Sequence, residues 1–400
     1  MDISTTGFDC IVIGAGIAGA SVAAELSSDR RVLLLERESQ PGYHTTGRSA
    51  ALFTVTYGPE VIRALSRASA AFFHAPASPH LEHPLLEPRG AVFVARQDQK
   101  AALARTAEEL GPHVTPLTGA EIETLVPLLR KGYASAGLRD ASAADIDVNG
   151  LHQHYLKTFR AAGGVLQTKA EVRALRKEGG WQVDTNQGTF HAPVIVNAAG
   201  AWADEIATLA GLAPAGLTPK RRTALTVAPP DGMEPDRWPM VVDIDEQFYL
   251  KADAGKLLIS PADATPSPPC DAQPEELDIA ICIDRIETAF DLHRPRIESR
   301  WAGLRSFLPD GDPVAGYDPK GEGFFWLAGQ GGYGIQTAPA LARLAAALLR
   351  GEDIPGDIAA EGVTAKALAR RRPGLAQPPI PASASICLRD LRARSVADFN

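Results

Sequence analysis

Gly14, Gly16 and Gly19 are spaced as G-x-G-x-x-G, and Glu36 follows. At about 20 residues past the glycines, an acid can take the hydroxyls of a ribose whose pyrophosphate lies on them. Gly14 permits a tight turn, Gly16 lets the backbone approach a pyrophosphate, and Gly19 lets a helix pack closely on a strand. The first amides of that helix, with its positive dipole end, attract phosphate. Three elements must hold such a site. Asp9 to Ile13 is an apolar run of strand length, and Arg31 to Leu35 is a second one ending at Glu36. Ala20 to Ser27 lies between them, helix-forming and free of Gly and Pro. A chance glycine turn would give the motif alone. Strand, helix, strand and terminal acid together predict a dinucleotide site.

The 400 residues suffice for two joined domains, and with 45% hydrophobic and 22% charged residues the chain is globular. A net charge of -8 argues against nucleic acid or an anionic membrane as the main partner. No apolar run reaches transmembrane length, and no basic segment followed by an apolar stretch marks a signal peptide. Cys10, Cys270, Cys282 and Cys387 are scattered, without metal-ligand spacing or a disulfide framework. A cytoplasmic location, at most peripheral to the inner membrane, is the expectation. His83, His152 and His154 have no carboxylate or cysteine constellation around them, so no metal site is expected.

Further along, Thr45 to Ala51 (Thr-Thr-Gly-Arg-Ser-Ala-Ala) reads as a glycine turn feeding a helix start, or as an ordinary helix cap by Thr45 or Thr46. Its place after the ribose-binding strand favours a ligand contact. Helices are expected over Val61 to Phe73, Gln99 to Leu110, Val148 to Ala162 and Pro274 to Leu292. Trp181 to Val183 and Thr189 to His191 read as a hairpin around Asn186-Gln187-Gly188. Pro193 to Ala199 reads as a central parallel strand. Ala91 to Ala95 reads as a strand of an inserted block, and Arg222 to Val227, Met240 to Val242, Phe248 to Leu250, Leu257 to Ser260 and Arg300 to Ser306 predict a second, antiparallel sheet that completes it. Gly323 to Ala328 is a last strand running into Gly329-Gln330-Gly331-Gly332-Tyr333-Gly334 and a helix to Leu349. The expected fold is α/β (α+β overall): a Rossmann-like domain of residues 1–58, 144–216 and 308–370, with a mostly antiparallel substrate domain of 59–143 and 217–307. Residues 371–400 are expected to be a disordered tail.

These motifs add up to a resemblance. Gly14 to Gly19, Pro41 to Ala51, Glu82 to Leu86, Ala144 to Asp147, Val196 to Trp202, Pro219 to Arg222, Phe248 to Lys251, Trp301 to Phe307 and Gln330 to Thr337 carry it. The chain resembles the FAD-dependent D-amino acid oxidase and dehydrogenase superfamily, most of all its bacterial D-arginine dehydrogenase branch. The resemblance implies FAD rather than NAD, held noncovalently, with His44 the one residue placed for a covalent link. It implies FAD contacts at Gly14, Gly16, Ala18, Gly19, Glu36, Arg37, Thr45, Thr46, Gly47, Arg48, Ser49, Ala50, Ala51, Val172, Gly200, Trp202, Gly303, Gly331, Gly332, Tyr333, Gly334, Ile335 and Gln336. It implies catalytic or substrate contacts at Tyr57, Arg222, Tyr249 and Arg305, with Met240, Val242 and Gly332 also touching substrate.

The implied reaction moves a hydride from the α-carbon of a D-amino acid to the flavin; the imino acid then hydrolyses to a 2-oxo acid and ammonia. A guanidinium binds a carboxylate through two parallel N–H bonds, which suits Arg222 and Arg305. Lys220-Arg221-Arg222 could equally be a solvated basic cluster, whereas Arg305 sits among Trp301, Leu304 and Phe307. No general base is evident. The helix after Gly334 would point its positive end at the edge of the flavin that gains negative charge. The electron acceptor, a quinone or another carrier, is not specified by these motifs.

The sequence departs from that branch at two places. It has no acid after Pro88-Arg89, where the branch holds a basic side chain, and Glu87 lies before the arginine. Leu52 stands where the branch has a pocket histidine. Both changes remove polarity, so neutral or apolar D-amino acids are expected. The alternatives are a glycine or sarcosine-type amine oxidase, a non-catalytic FAD-binding accessory protein and an NAD-linked enzyme.

Overall fold

The protein is described by a computed structural model over residues 7–375. Most of the expected tail therefore lies outside the described residues.

A six-stranded sheet runs in the order Val314–Tyr317, Phe324–Ala328, Val194–Asn197, Cys10–Ile13, Val32–Leu35, Val165–Gln167. All its neighbours are parallel except the first pair. Cys10 to Ile13 are buried on both faces because the strand alternates between two cores. Cys10 and Val12 join the core under the helices Ile17–Leu26, Val148–Ala161 and Gly334–Arg350. Ile11 and Ile13 join the core under the three-stranded sheet Val172–Lys177, Trp181–Thr185, Gly188–Ala192. Helix Ile17–Leu26 is apolar nearly all round, which fits its place between two other helices and the sheet.

The second large sheet has eight strands: Ile297–Phe307, Thr218–Val227, Lys256–Ser260, Tyr249–Asp253, Met240–Asp243, Ala91–Ala95, Ala136–Asp140, Thr115–Thr118. It is antiparallel apart from the parallel pairing of Met240–Asp243 with Ala91–Val94. That one parallel pair joins strands from either side of the 144–216 segment. Helix Glu276–Ala289 covers one face, packing Ile279, Cys282 and Ile286 against Val92, Leu225 and Ile259. The other face looks toward the parallel sheet. The strands Thr115–Thr118, Ala136–Asp140 and Val314–Tyr317 escape the sequence reading. Pro116 sits in an edge strand, where a missing N–H costs little, and so hides it.

One local expectation is corrected. Thr45 to Ala51 does not open a helix. Thr46–Arg48 makes a single 3₁₀ turn, Ser49 is extended, and Leu52–Phe53 is a short strand paired with Ala144–Asp145. The reason lies in the side chains. Thr46 Oγ1 accepts the Ile17 amide at 2.9 Å, capping the first helix of the chain rather than one of its own. Arg48 donates to the carbonyls of Ala272 and Ala302, both at 2.9 Å, which draws the segment out toward the second sheet.

Candidate active site

One cavity of about 340 Å³ runs between the two large sheets. It opens at the carboxyl ends of Cys10–Ile13 and Val194–Asn197, the crevice where parallel sheets bind ligands.

Its first wall is made of backbone. Gly14 has φ +100°, and a Cβ there would stand 2.5 Å from the Ala198 carbonyl oxygen. A Cβ on Gly19 would stand 1.8 Å from the Gly14 oxygen, so strand and helix touch at that glycine. Glu36 braces the turn from below. Its carboxylate accepts the amides of Ala15 and Glu38, each at 2.9 Å. Burial raises its pKa, and those two amides oppose the rise. His152 Nε2 lies 2.9 Å from the Ala15 carbonyl oxygen, on the other side of the same residue. Ala18 lines the cavity, and its first-turn amide has no intrahelical acceptor. Gln330 also lines it, with an Nε2 that is buried and has no partner among the described residues. A small-residue cradle with bare donors fits the pyrophosphate and ring system of FAD.

The second wall is made of side chains. On strand Thr218–Val227 alternate residues face opposite ways. Arg221 points to the covering helix, where Asp278 Oδ2 accepts from Nη2 at 2.8 Å and Glu275 pairs with Nη1 at 2.5 Å. Arg222 therefore points the other way, into the cavity. The basic triplet is thus split by the strand's alternation and is not a solvated cluster. Arg222 lies opposite Gly303, and Arg305 opposite Lys220, which puts the two guanidiniums on diagonal positions of one face. Arg222 spends its Nε on the Asp263 carbonyl at 2.8 Å. Among the described residues neither Arg222 nor Arg305 has a carboxylate within ion-pair distance. Burial, and then the charge of Arg305, push the Arg222 pKa down. Tyr57 and Tyr249 both line the cavity beside the two arginines. Gly332 gives the Arg305 guanidinium room: a Cβ there would stand 3.0 Å from Nη1.

Tyr57, Arg222, Met240, Val242, Tyr249, Arg305 and Gly332 thus come together along this wall. Gly14, Gly16, Ala18, Glu36, Arg37, Thr45, Thr46, Arg48, Ser49, Ala50, Ala51, Val172, Gly200, Trp202, Gly303, Gly331, Gly334, Ile335 and Gln336 also line the cavity. Gly19, Gly47 and Tyr333 do not. Gly19 and Gly47 are packed against the carbonyls of Gly14 and Gly42, and Tyr333 sits behind Tyr57 with ring centres 5.0 Å apart. Arg37 lies over the Trp202 ring at 5.0 Å. His44 lies outside the lining, its Nε2 3.0 Å from Glu38 and its ring against Trp202.

Leu52 lines the cavity, as do Phe93 and Ala224. Glu87 lies in a separate cleft, where Asp145 accepts from Arg89 and Lys251, both at 2.7 Å. Glu246 is an acid that the sequence reading missed. It belongs to an exposed loop with φ +54° and is the one acid the second sheet's segments bring to the lining. Neither a motif nor a periodicity marks it. Among the described residues no helix is long and apolar enough to cross a membrane, and no cluster of metal-ligating side chains occurs.

A family model described as "DAO: FAD dependent oxidoreductase" matches residues 9–348. Glycine oxidase from Geobacillus kaustophilus is 24% identical over 378 residues, covering 89% of this chain and 97% of that protein. Glycine oxidase from Pseudomonas aeruginosa is 28% identical over 373 residues, covering 86% and 95%. Rat mitochondrial dimethylglycine dehydrogenase is 26% identical over 362 residues, but this chain spans only 41% of its length. In fold, the chain superposes on the crystal structure of the Geobacillus glycine oxidase with a TM-score of 0.77 at 24% identity, covering 87% of this chain and 96% of that one. L-proline dehydrogenase from P. horikoshii gives 0.76 at 22%, covering 87% and 95%.

Proposed function

Since the chain belongs to the DAO family of FAD-dependent oxidoreductases, we propose that this amine or amino acid oxidoreductase acts on neutral or apolar D-amino acids. The observation that carries the reading is the pair Arg222 and Arg305, two half-buried guanidiniums on one sheet face without an acid between them. Two like charges held together in a partly dry wall call for an anion. A carboxylate is the anion whose two oxygens match the guanidinium fork. Tyr57 and Tyr249 supply phenol donors to the same group. Met240, Val242, Leu52 and Phe93 form the apolar surface beside it, where an uncharged side chain loses water without leaving a polar group unpaired.

Bound FAD supplies the two-electron acceptor. The residues of the chain do the placing. Arg222 and Arg305 anchor the carboxylate, so the α-carbon is held at one distance and orientation. Among the described residues no imidazole lines the cavity, and Glu246 is the one acid that the second sheet's segments bring there, so the substrate amine reacts as the free base or yields its proton to water. The apolar neighbours exclude water from the α-carbon.

A second reading, oxidation of glycine or a small N-methylated amine, is favoured by the names of the relatives. Both readings are tested by mixing the yellow protein anaerobically with D- and L-amino acids, glycine and sarcosine and following flavin absorbance. The first reading expects bleaching by D-methionine, D-leucine or D-phenylalanine, faster than by D-arginine or D-lysine. Bleaching by glycine or sarcosine alone would replace it with the second, and a preference for D-arginine would overturn the apolar assignment.

A further inference from the structure

We infer that Asp140 is a positioning residue for the substrate wall: its buried carboxylate holds the Thr54–Tyr57 segment, and through it the Tyr57 phenol, against Arg305. The inference rests on the reading of Tyr57 as a substrate contact. The segment from Thr54 to Gly58 is neither strand nor helix, and no backbone–backbone hydrogen bond of these residues occurs among the described ones. Its amides go to side chains instead. Thr56 N donates to Thr54 Oγ1 at 3.0 Å, and Thr54 N approaches Gln336 Oε1 at 3.4 Å.

Asp140 is what those side chains are fixed to. It is fully buried at the end of strand Ala136–Asp140. One oxygen accepts Thr54 Oγ1 at 2.6 Å and Thr56 Oγ1 at 2.9 Å. The other accepts the amide and hydroxyl of Ser142 at 2.9 and 2.6 Å. No cation lies within ion-pair distance among the described residues, so four neutral donors carry the whole charge. A carboxylate without water is costly unless each lone pair is met, and here both threonines must stay in place to meet them. Asp140 also pairs across the sheet with Ala91, which lines the cavity. The same carboxylate therefore ties the cavity's sheet to the loop that ends in Tyr57. Past Tyr57, Gly58 at φ +96° leaves room for the Tyr333 ring, which closes the phenol's other side.

The test uses the FAD-loaded enzyme, with benzoate as a non-reacting carboxylate read by flavin absorbance and D-methionine as turnover substrate. Asp140→Asn keeps one carbonyl and presents an NH₂ to groups that need an acceptor. It should raise the benzoate Kd and the D-methionine KM about tenfold, change kcat less than about threefold, and leave FAD affinity within about twofold. Thr56→Val should reproduce these shifts, and Thr56→Ser, which keeps the hydroxyl, should restore wild-type binding. If Asp140→Asn fails to fold, the Val and Ser pair carries the test. Asp140→Asn combined with Tyr57→Phe should bind no more weakly than Tyr57→Phe alone. Wild-type benzoate binding in both Asp140→Asn and Thr56→Val, or full additivity in the double variant, would overturn the inference. A silent Tyr57→Phe beside a weakened Asp140→Asn would overturn the reading of Tyr57 itself, and this inference with it.

Discussion

The two walls of the cavity are built on opposite principles. The wall under the glycines is backbone: its shape comes from absent side chains, and its charges are paired within the protein, as Glu36 is by two amides. The opposite wall is side chains: Arg222 and Arg305 reach in from neighbouring strands and have no carboxylate within ion-pair distance among the described residues. A cradle of backbone tolerates no added atom. A wall of projecting side chains tolerates replacement but gives up the charge that the proposed carboxylate would meet. The first wall should therefore fail through structure and cofactor retention, the second through substrate binding with the flavin still in place.

The sharpest way to break this contrast is Gly14→Ala. Its Cβ would meet the Ala198 oxygen at 2.5 Å in a backbone conformation that alanine avoids. The strain should exceed about 3 kcal/mol, and the purified protein should be colourless and less stable; a yellow, stable variant would show the wall to be more pliant than its geometry. Next comes Arg305→Met. We expect kcat/KM to fall about 10²–10³-fold, equivalent to ~3–4 kcal/mol, with flavin content unchanged. Arg222→Met should lose less, because its Nε is already spent on Asp263. Equal loss of FAD in either variant would erase the distinction between the walls.

The smallest effect tests the helical layer that backs the glycine wall. Burial, aided by the charge of His80, pushes His154 from 6.5 to about 4, and its Nδ1 lies 2.7 Å from Ser78 Oγ. A histidine held neutral when folded takes up its proton first in the unfolded chain, so acid favours unfolding. The Tm should fall as pH drops from about 6.5 toward about 4. His154→Gln should flatten that slope, as differential scanning calorimetry across the range would register.

How much of this was legible in the chain differs between the walls for the same reason. The glycine wall is local: strand, turn, helix and strand follow one another within Phe8 to Glu36, so spacing alone placed it, and a Cβ could be excluded at Gly14 and Gly19 without coordinates. The two-sheet α/β architecture was legible too, because runs of buried strand and of alternating strand differ in pattern. The family resemblance supplied Tyr57, Tyr249 and the arginines as a set, but not their arrangement. What only the tertiary structure decided is non-local. Which of Lys220, Arg221 and Arg222 faces the cavity depends on strand register and on Glu275 and Asp278 at the start of helix Glu276–Ala289, more than 50 residues away. Thr46 was free to cap either helix until folding set its hydroxyl against Ile17. Asp140 and Glu246 carry no motif at all. A side chain's partner is set by the packing of distant segments, and sequence spacing does not encode that packing.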